Sequence, residues 1–270
     1  MNFIEIVKVI SLGIVEGITE WLPISSTGHM LLVDEFIKLN MTETFKEMFF
    51  IIIQLGAILA VVVIFFQRML PFEKKEDKLT LKKETISIWL KVIVAMIPGT
   101  IVTLLFDDYV ESNFHTPIVI AIALIVYGIA FIVIENKNKK PGVHIIEEIS
   151  YKDAFIIGLF QVLSIIPGTS RSGSTIIGGL LIGVSRIAVS EFTFFMAVPV
   201  MFGMSALKLM NFGFVFTQAE LFTLILGMVV AFVVSLAVIK FLLDYIRKHD
   251  FKAFGWYRII LGVIVLIYFL

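Results

Sequence analysis

The chain has 270 residues, 59% of them hydrophobic and only 16% charged, with a formal net charge of zero. Soluble domains are about half apolar and about a quarter charged, so this composition excludes an ordinary soluble enzyme and specifies an all-α integral membrane protein. Cysteine is absent, which excludes disulfides, thiolate metal sites and cysteine nucleophiles.

In chain order, the first apolar region, 3–37, carries Glu5, Lys8 and Glu16 and therefore does not read as a cleavable signal peptide. It is broken at "PISSTGH", Pro23 to His29. Each half, about a dozen residues long, is too short to cross a bilayer alone, which predicts a re-entrant helical hairpin. Full spans follow at 47–66, 86–106 and 117–134. A second broken region, 153–190, is interrupted by "PGTSRSGS", Pro167 to Ser174, and spans 191–210, 221–241 and 256–270 complete the chain. The whole of 1–270 reads as one membrane domain. Between the spans, "EKKEDKLTLKKE" reads as a solvated loop. Pro98 and Pro199 read as kinks, and Lys91, Arg186 and Lys208 as side chains snorkelling to the interface.

Basic residues give the orientation. The connections 67–85, 135–152 and 240–258 hold 15 of the 22 Lys and Arg, whereas 38–47, 107–116 and 211–220 hold two. Cytoplasmic loops collect Lys and Arg, so the first set is inside and both termini are outside. The hairpin 3–37 then enters from outside and 153–190 from the cytoplasm. The halves also match internally. Gly13, Glu16 and Gly28 recur as Gly158, Gln161 and Gly173, while Ala95, Asp108 and Tyr109 recur as Ala231, Asp244 and Tyr245. The expected architecture is an inverted-topology repeat, 1–136 and 153–270, each half one hairpin plus three transmembrane helices. Such repeats place a binding site near the membrane midplane, where the broken helices meet.

The polar breaks carry the chemistry. Glu16 and Glu20 lie four apart, on one face of a helix. With His29 and Arg171 they form a set that, unpaired at membrane depth, would cost on the order of 10 kcal/mol, comparable with the whole stability of a domain. These groups must pair, bind a ligand or line water, and a Glu–Arg pair that merely locks the hairpins together is the plain alternative. Pro23 and Pro167 end helices, and the hydroxyls that follow can cap the next ones. Helix N-termini suit phosphate. Ser25, Ser26 and Thr27, with Gly28, face Thr169, Ser170, Ser172, Gly173 and Ser174 as candidate anion-binding groups, and the planar fork of Arg171 can grip two oxygens at once. His29 can move a proton near neutral pH. Glu16 and Glu20 serve either as acid/base groups or as ligands of a divalent ion held against phosphate. Gln54 and Glu191 read as supporting hydrogen-bond partners or packing groups.

At these residues the chain resembles the undecaprenyl-diphosphate phosphatase family of bacteria, also called the bacitracin-resistance family. The signatures are "EGITEWLPISSTGH" and "PGTSRSGST", and the likeness continues through "IQLGAILAVVV" and "GVSRIAVSEFTFFMAVPVM". The resemblance implies hydrolysis of undecaprenyl diphosphate to undecaprenyl phosphate and phosphate, recycling the lipid carrier of cell-wall precursors. It implies a bacterial cytoplasmic membrane, with the site open to the outer side. It places the family's acidic pair on Glu16 and Glu20, its histidine on His29, its arginine on Arg171 and its hydroxyls on Ser25, Ser26 and Thr27, with Mg²⁺ or Ca²⁺ as cofactor. The expected partners are the polyprenyl diphosphate and membrane lipid and no nucleic acid, with a homodimer left open. Ser26 is the expected nucleophile, with His29 or Glu20 taking its proton; attack by water or by His29 stays open. A transporter or flippase of an anionic polyprenyl lipid is the rival function, because paired broken helices are also a carrier architecture.

Overall fold

The computed structural model describes residues 2–75, 78–137 and 139–270. Eleven α-helices follow one another among the described residues: α1 Phe3–Thr19, α2 Ser26–Phe36, α3 Glu43–Ile64, α4 Phe66–Met69, α5 Lys83–Phe114, α6 Pro117–Asn136, α7 Tyr151–Val162, α8 Arg171–Ile182, α9 Arg186–Phe212, α10 Gln218–Ile246 and α11 Lys252–Phe269. Six of them (α3, α5, α6, α9, α10 and α11) are long and apolar enough to cross a membrane. They coincide with the six expected spans, with ends shifted by a few residues.

The starts of these helices follow from capping side chains. Thr42, Thr116 and Ser185 accept the N–H of the third residue onward, and Ser150–Asp153 and Thr217–Glu220 form reciprocal capping boxes; each cap satisfies N–H groups that lipid could not. Helix α1 runs for 17 residues, longer than the dozen expected, because nothing in its sequence stops it before Glu20. Helices α2, α7 and α8 have 11, 12 and 12 residues, as the interrupted pattern requires.

Between apolar helices in lipid, packing depends on close approach of small residues. A Cβ on Gly128 of α6 would sit 2.6 Å from the carbonyl oxygen of Gly255 in α11, and one on Gly255 would sit 2.8 Å from that of Gly128. The two backbones therefore touch. Helix α1 lies on α10 in the same manner through Gly13 and Gly17, and α7 lies on α5 through Gly158. The first helix of each broken pair thus docks on a span of the other half. Around these seams a core of Trp21, Phe65, Phe192, Phe194, Phe195 and neighbours is fully or almost fully buried, with Trp21 edge-on to Phe194 at 5.3 Å.

One connection differs from expectation. The charged stretch after α4 is not a plain loop: Phe72–Lys75 and Lys78–Leu81 pair antiparallel, with Phe72 opposite Leu81. Alternation in "KLTL" supports a strand, and the surrounding charges mask it. Lys91 reaches from α5 to the connection that precedes α7. It is buried, and its Nζ donates to the Glu147 carbonyl at 2.8 Å. Lys208 pairs with Glu47 at 3.2 Å and Arg186 with Glu135. Pro98 and Pro199 both lie inside continuous helices.

Candidate active site

The two polar breaks are the turns that join α1 to α2 and α7 to α8. Each ends on a serine with positive φ, Ser25 at 75° and Ser170 at 74°, the two non-glycine residues so disposed among the described residues. They stand at matching positions of the two halves. Backbone held this way costs about 1–3 kcal/mol per residue and persists where the surroundings enforce it, often at functional sites. Both serines use the strained geometry alike. Ser25 Oγ accepts from the Gly28 N–H at 3.3 Å and Ser170 Oγ from the Gly173 N–H at 3.1 Å, so each starts a helix directly after the turn.

The turns converge. Arg171, the first residue of α8, donates through Nη2 to Glu20 Oε1 at 2.8 Å and through Nη1 to the Thr193 carbonyl at 3.3 Å. Glu20, continuing α1, also accepts from the Ser26 hydroxyl at 2.6 Å. A carboxylate from one turn is therefore shared between a hydroxyl at the start of α2 and a guanidinium at the start of α8. Ser172 Oγ approaches the Glu20 carbonyl at 3.4 Å, a second link between the turns.

Glu16, one helical turn before Glu20, is fully buried, and neither of its carboxylate oxygens has a hydrogen-bond partner. A buried charge without partners is strongly unfavourable. Its counterpart in the second half, Gln161, also has a buried, unpartnered Oε1. Among the described residues no three His, Asp or Glu side chains gather as a ready-made metal site. Two carboxylates one turn apart, one of them unsatisfied, match what a Mg²⁺-like ion needs from a protein when phosphate oxygens supply the rest.

His29 occupies the first turn of α2. Its Nδ1 lies 2.7 Å from the Ser25 carbonyl and its Nε2 lies 2.7 Å from the Tyr257 hydroxyl. A carbonyl only accepts, so Nδ1 carries the proton, and in the neutral ring Nε2 accepts from Tyr257. The partner of the Ser26 hydroxyl is accordingly Glu20 and not His29.

The other candidate hydroxyls divide. Thr169 donates to the Leu163 and Ile166 carbonyls at 3.0 and 2.8 Å, closing its own turn. Ser174 donates to the Tyr127 hydroxyl at 3.1 Å, and Ser170 lies 3.1 Å from Ser172. Thr27 is exposed and makes no side-chain hydrogen bond among the described residues. Glu191, on α9, pairs with Arg68 at 2.8 Å.

Arg258 falls where the expected connection 240–258 and the expected span 256–270 overlap, and it was counted with the loop; the structure places it in the span. It lies inside α11, fully buried. Its Nη1 donates to the Pro23 carbonyl at 3.0 Å, and its Nη2 donates to the Gly168 and Thr169 carbonyls at 2.8 and 2.9 Å. The guanidinium also sits 5.3 Å from the ring centre of Tyr127. One side chain therefore ties both turns together. The overlooked signal was an arginine within the apolar run "GWYRIILGVIVLIYFL", since an ionisable group at membrane depth is a functional candidate by default. Tyr257 and Tyr127 carried no such signal.

The family model described as "Bacitracin resistance protein BacA" matches residues 9–264. A protein of Enterococcus faecalis named undecaprenyl-diphosphatase is 67% identical over 270 residues, covering 99% of this chain and 98% of the relative. One from Lachnoclostridium phytofermentans with the same name is 61% identical, covering 100% and 99%. Another, from Streptococcus thermophilus, is 54% identical, covering 98% and 93%.

Proposed function

The chain belongs to the bacitracin resistance protein BacA family, and from that premise we propose that it is the membrane phosphatase that converts undecaprenyl diphosphate to undecaprenyl phosphate and inorganic phosphate. The observation that carries the reading is the shared carboxylate: Glu20 holds the Ser26 hydroxyl at 2.6 Å and the Arg171 guanidinium at 2.8 Å. Hydroxyl, base and phosphate-gripping cation thus meet at two helix N-termini, where backbone N–H groups favour an anion.

In this reading the paired turns belong to re-entrant hairpins of an inverted repeat, and the site opens to the outer face of the bacterial cytoplasmic membrane. The terminal phosphate of the substrate takes the guanidinium and the N-terminal N–H groups of α2 and α8. Ser26 attacks the terminal phosphorus while its proton passes to Glu20, and the bond from that phosphorus to the bridging oxygen breaks, releasing undecaprenyl phosphate. Glu20 hands that proton to the departing phosphate oxygen and is again a carboxylate; it then takes a proton from the water that attacks the phosphoserine and returns it to the Ser26 oxygen as inorganic phosphate leaves. Glu16 and Glu20 are the residues that would hold Mg²⁺ or Ca²⁺, which when bound offsets charge on the phosphate oxygens. His29, locked between Ser25 and Tyr257, fixes the start of α2 and orients the Tyr257 hydroxyl.

Phosphate release from undecaprenyl diphosphate by the purified chain in detergent tests the reading. Release with added Mg²⁺ or Ca²⁺ and its loss on chelation are expected; no release in either condition would overturn it in favour of a carrier.

A further inference from the structure

A second polar concavity lies at the far end of α8 from Arg171. It is a cleft of about 280 Å³ between the end of α6, the α8–α9 corner and the end of α10. Its polar lining is Glu135, Lys139, Lys140, Ser185, Arg186 and Arg247, four cations against one carboxylate in a chain of zero net charge.

The cleft is built rather than incidental. Glu135 is buried at its floor, accepting from Arg186 Nε at 2.8 Å and Nη2 at 2.5 Å, and from the Phe251 N–H at 3.0 Å. That pairing neutralises Arg186 in part and leaves Nη1 with no protein partner among the described residues. The strand-like segment carrying Lys139 and Lys140 is strapped to the corner: the Gly142 N–H donates to the Gly183 carbonyl at 2.9 Å and the Ser185 N–H to the Val143 carbonyl at 2.8 Å. Gly183 has φ +89°, and a Cβ built on it would lie 3.8 Å from Cε and Nζ of Lys139, whose ammonium donates to the Leu181 carbonyl at 3.1 Å. A side chain at this glycine would be strained by the backbone conformation. Among the described residues the cation of Lys140 has no such bond, and Arg247 pairs with the exposed Asp244 at 3.1 Å.

Location decides what such a site would take. Helix α6 has 20 residues, about 30 Å and the thickness of a hydrocarbon core, so its end lies at the level of lipid headgroups. Beside the cleft, toward the membrane, the exposed side chains are apolar: Val133, Leu181 and Phe241 are 49%, 38% and 56% exposed. A cationic concavity that continues into an apolar lipid-facing surface matches an amphiphile with an anionic head.

We propose that this cleft binds the phosphate of an anionic phospholipid, with the acyl chains lying over Val133, Leu181 and Phe241. The shared chemistry with free phosphate is the anion; the apolar continuation is what selects the lipid. The purified full chain, titrated in detergent with phosphatidylglycerol or phosphatidylcholine and read by native mass spectrometry, should retain the anionic lipid on the order of tenfold more strongly. The double variant Lys140→Gln, Arg247→Gln should reduce that preference severalfold. The pair Lys83→Gln, Lys152→Gln, with the same charge change outside the cleft, should keep it; melting temperatures matching the parent chain confirm that both variants are folded. Equal retention of the two lipids, equal loss in both variants, or displacement of phosphatidylglycerol by low-millimolar inorganic phosphate would each overturn the proposal.

Discussion

Arg171 and Lys are not equivalent at this position. The guanidinium reaches a carboxylate on one turn and a carbonyl on α9 through separate nitrogens, a fork that a single ammonium cannot reproduce. Arg171→Lys should therefore lower kcat/KM by about 10²–10³-fold, the usual loss when one oriented donor to a developing charge is removed, with the fold intact by thermal denaturation. Ser26 makes a sharper case. If its oxygen attacks phosphorus, Ser26→Ala should lose at least about 10³-fold in kcat, as nucleophile deletions do, and no phosphorylated protein should be trapped. Near-full turnover would move the attack to water. The residues concerned were readable because each is a charged or hydroxyl group where apolar sequence makes it expensive. Tyr257 was not readable: a tyrosine near the end of an apolar span has a bland role at an interface, and only the folded chain brings it to His29, 228 positions away.

At the scale of elements, the two turns and the helix seams place the chemistry. Arg258 bridges carbonyls of both turns, so Arg258→Lys keeps a charge yet cannot satisfy Pro23, Gly168 and Thr169 together. The expected result is a larger fall in kcat than change in KM, with a lower melting temperature, because buried carbonyls left unpaired cost about 1–3 kcal/mol each. A uniform loss of stability with unchanged kcat would reduce Arg258 to a packing role. The α6–α11 seam allows a parallel test. Gly128→Ala drives a Cβ to within 2.6 Å of a backbone oxygen that no rotamer can move, so destabilisation of about 1–3 kcal/mol is expected. Gly203→Ala, where nothing lies within 4 Å of the new Cβ, should leave the melting temperature unchanged. The spans and both broken helices were legible from hydrophobic length alone. The strand pair at Phe72–Lys75 and Lys78–Leu81 was not, because charges dilute its period-two pattern, and Arg258 was counted with the basic loop residues because the connection, taken as 240–258, overlapped the span 256–270.

For the whole molecule, contacts between distant segments show which helix ends share a face. Arg68 after α3 meets Glu147 before α7 and Glu191 in α9. Lys91 of α5 reaches the Glu147 carbonyl, Arg186 of α9 meets Glu135 of α6, and Lys252 of α11 contacts Asn136 at 3.4 Å. One end thus gathers Arg68, Lys82, Lys83, Lys139, Lys140, Lys152, Arg186, Arg247 and Lys252, while the other holds Lys38, Lys46 and Lys208 near Glu35, Glu43 and Glu47. Moving Arg258 into the interior removes one charge from the basic side and leaves this asymmetry standing, so the positive-inside rule still assigns the richer end to the cytoplasm. The absence of cysteine makes the assignment directly testable. Val215, 92% exposed between α9 and α10, and Lys83 at the start of α5 lie at opposite ends. In intact cells a membrane-impermeant maleimide should label Val215→Cys and spare Lys83→Cys until the membrane is permeabilised. The reverse pattern would turn the protein over and put Arg171, Glu20 and Ser26 within reach of substrate from the cytoplasmic leaflet, which the carrier-recycling reaction proposed for the outer face does not allow.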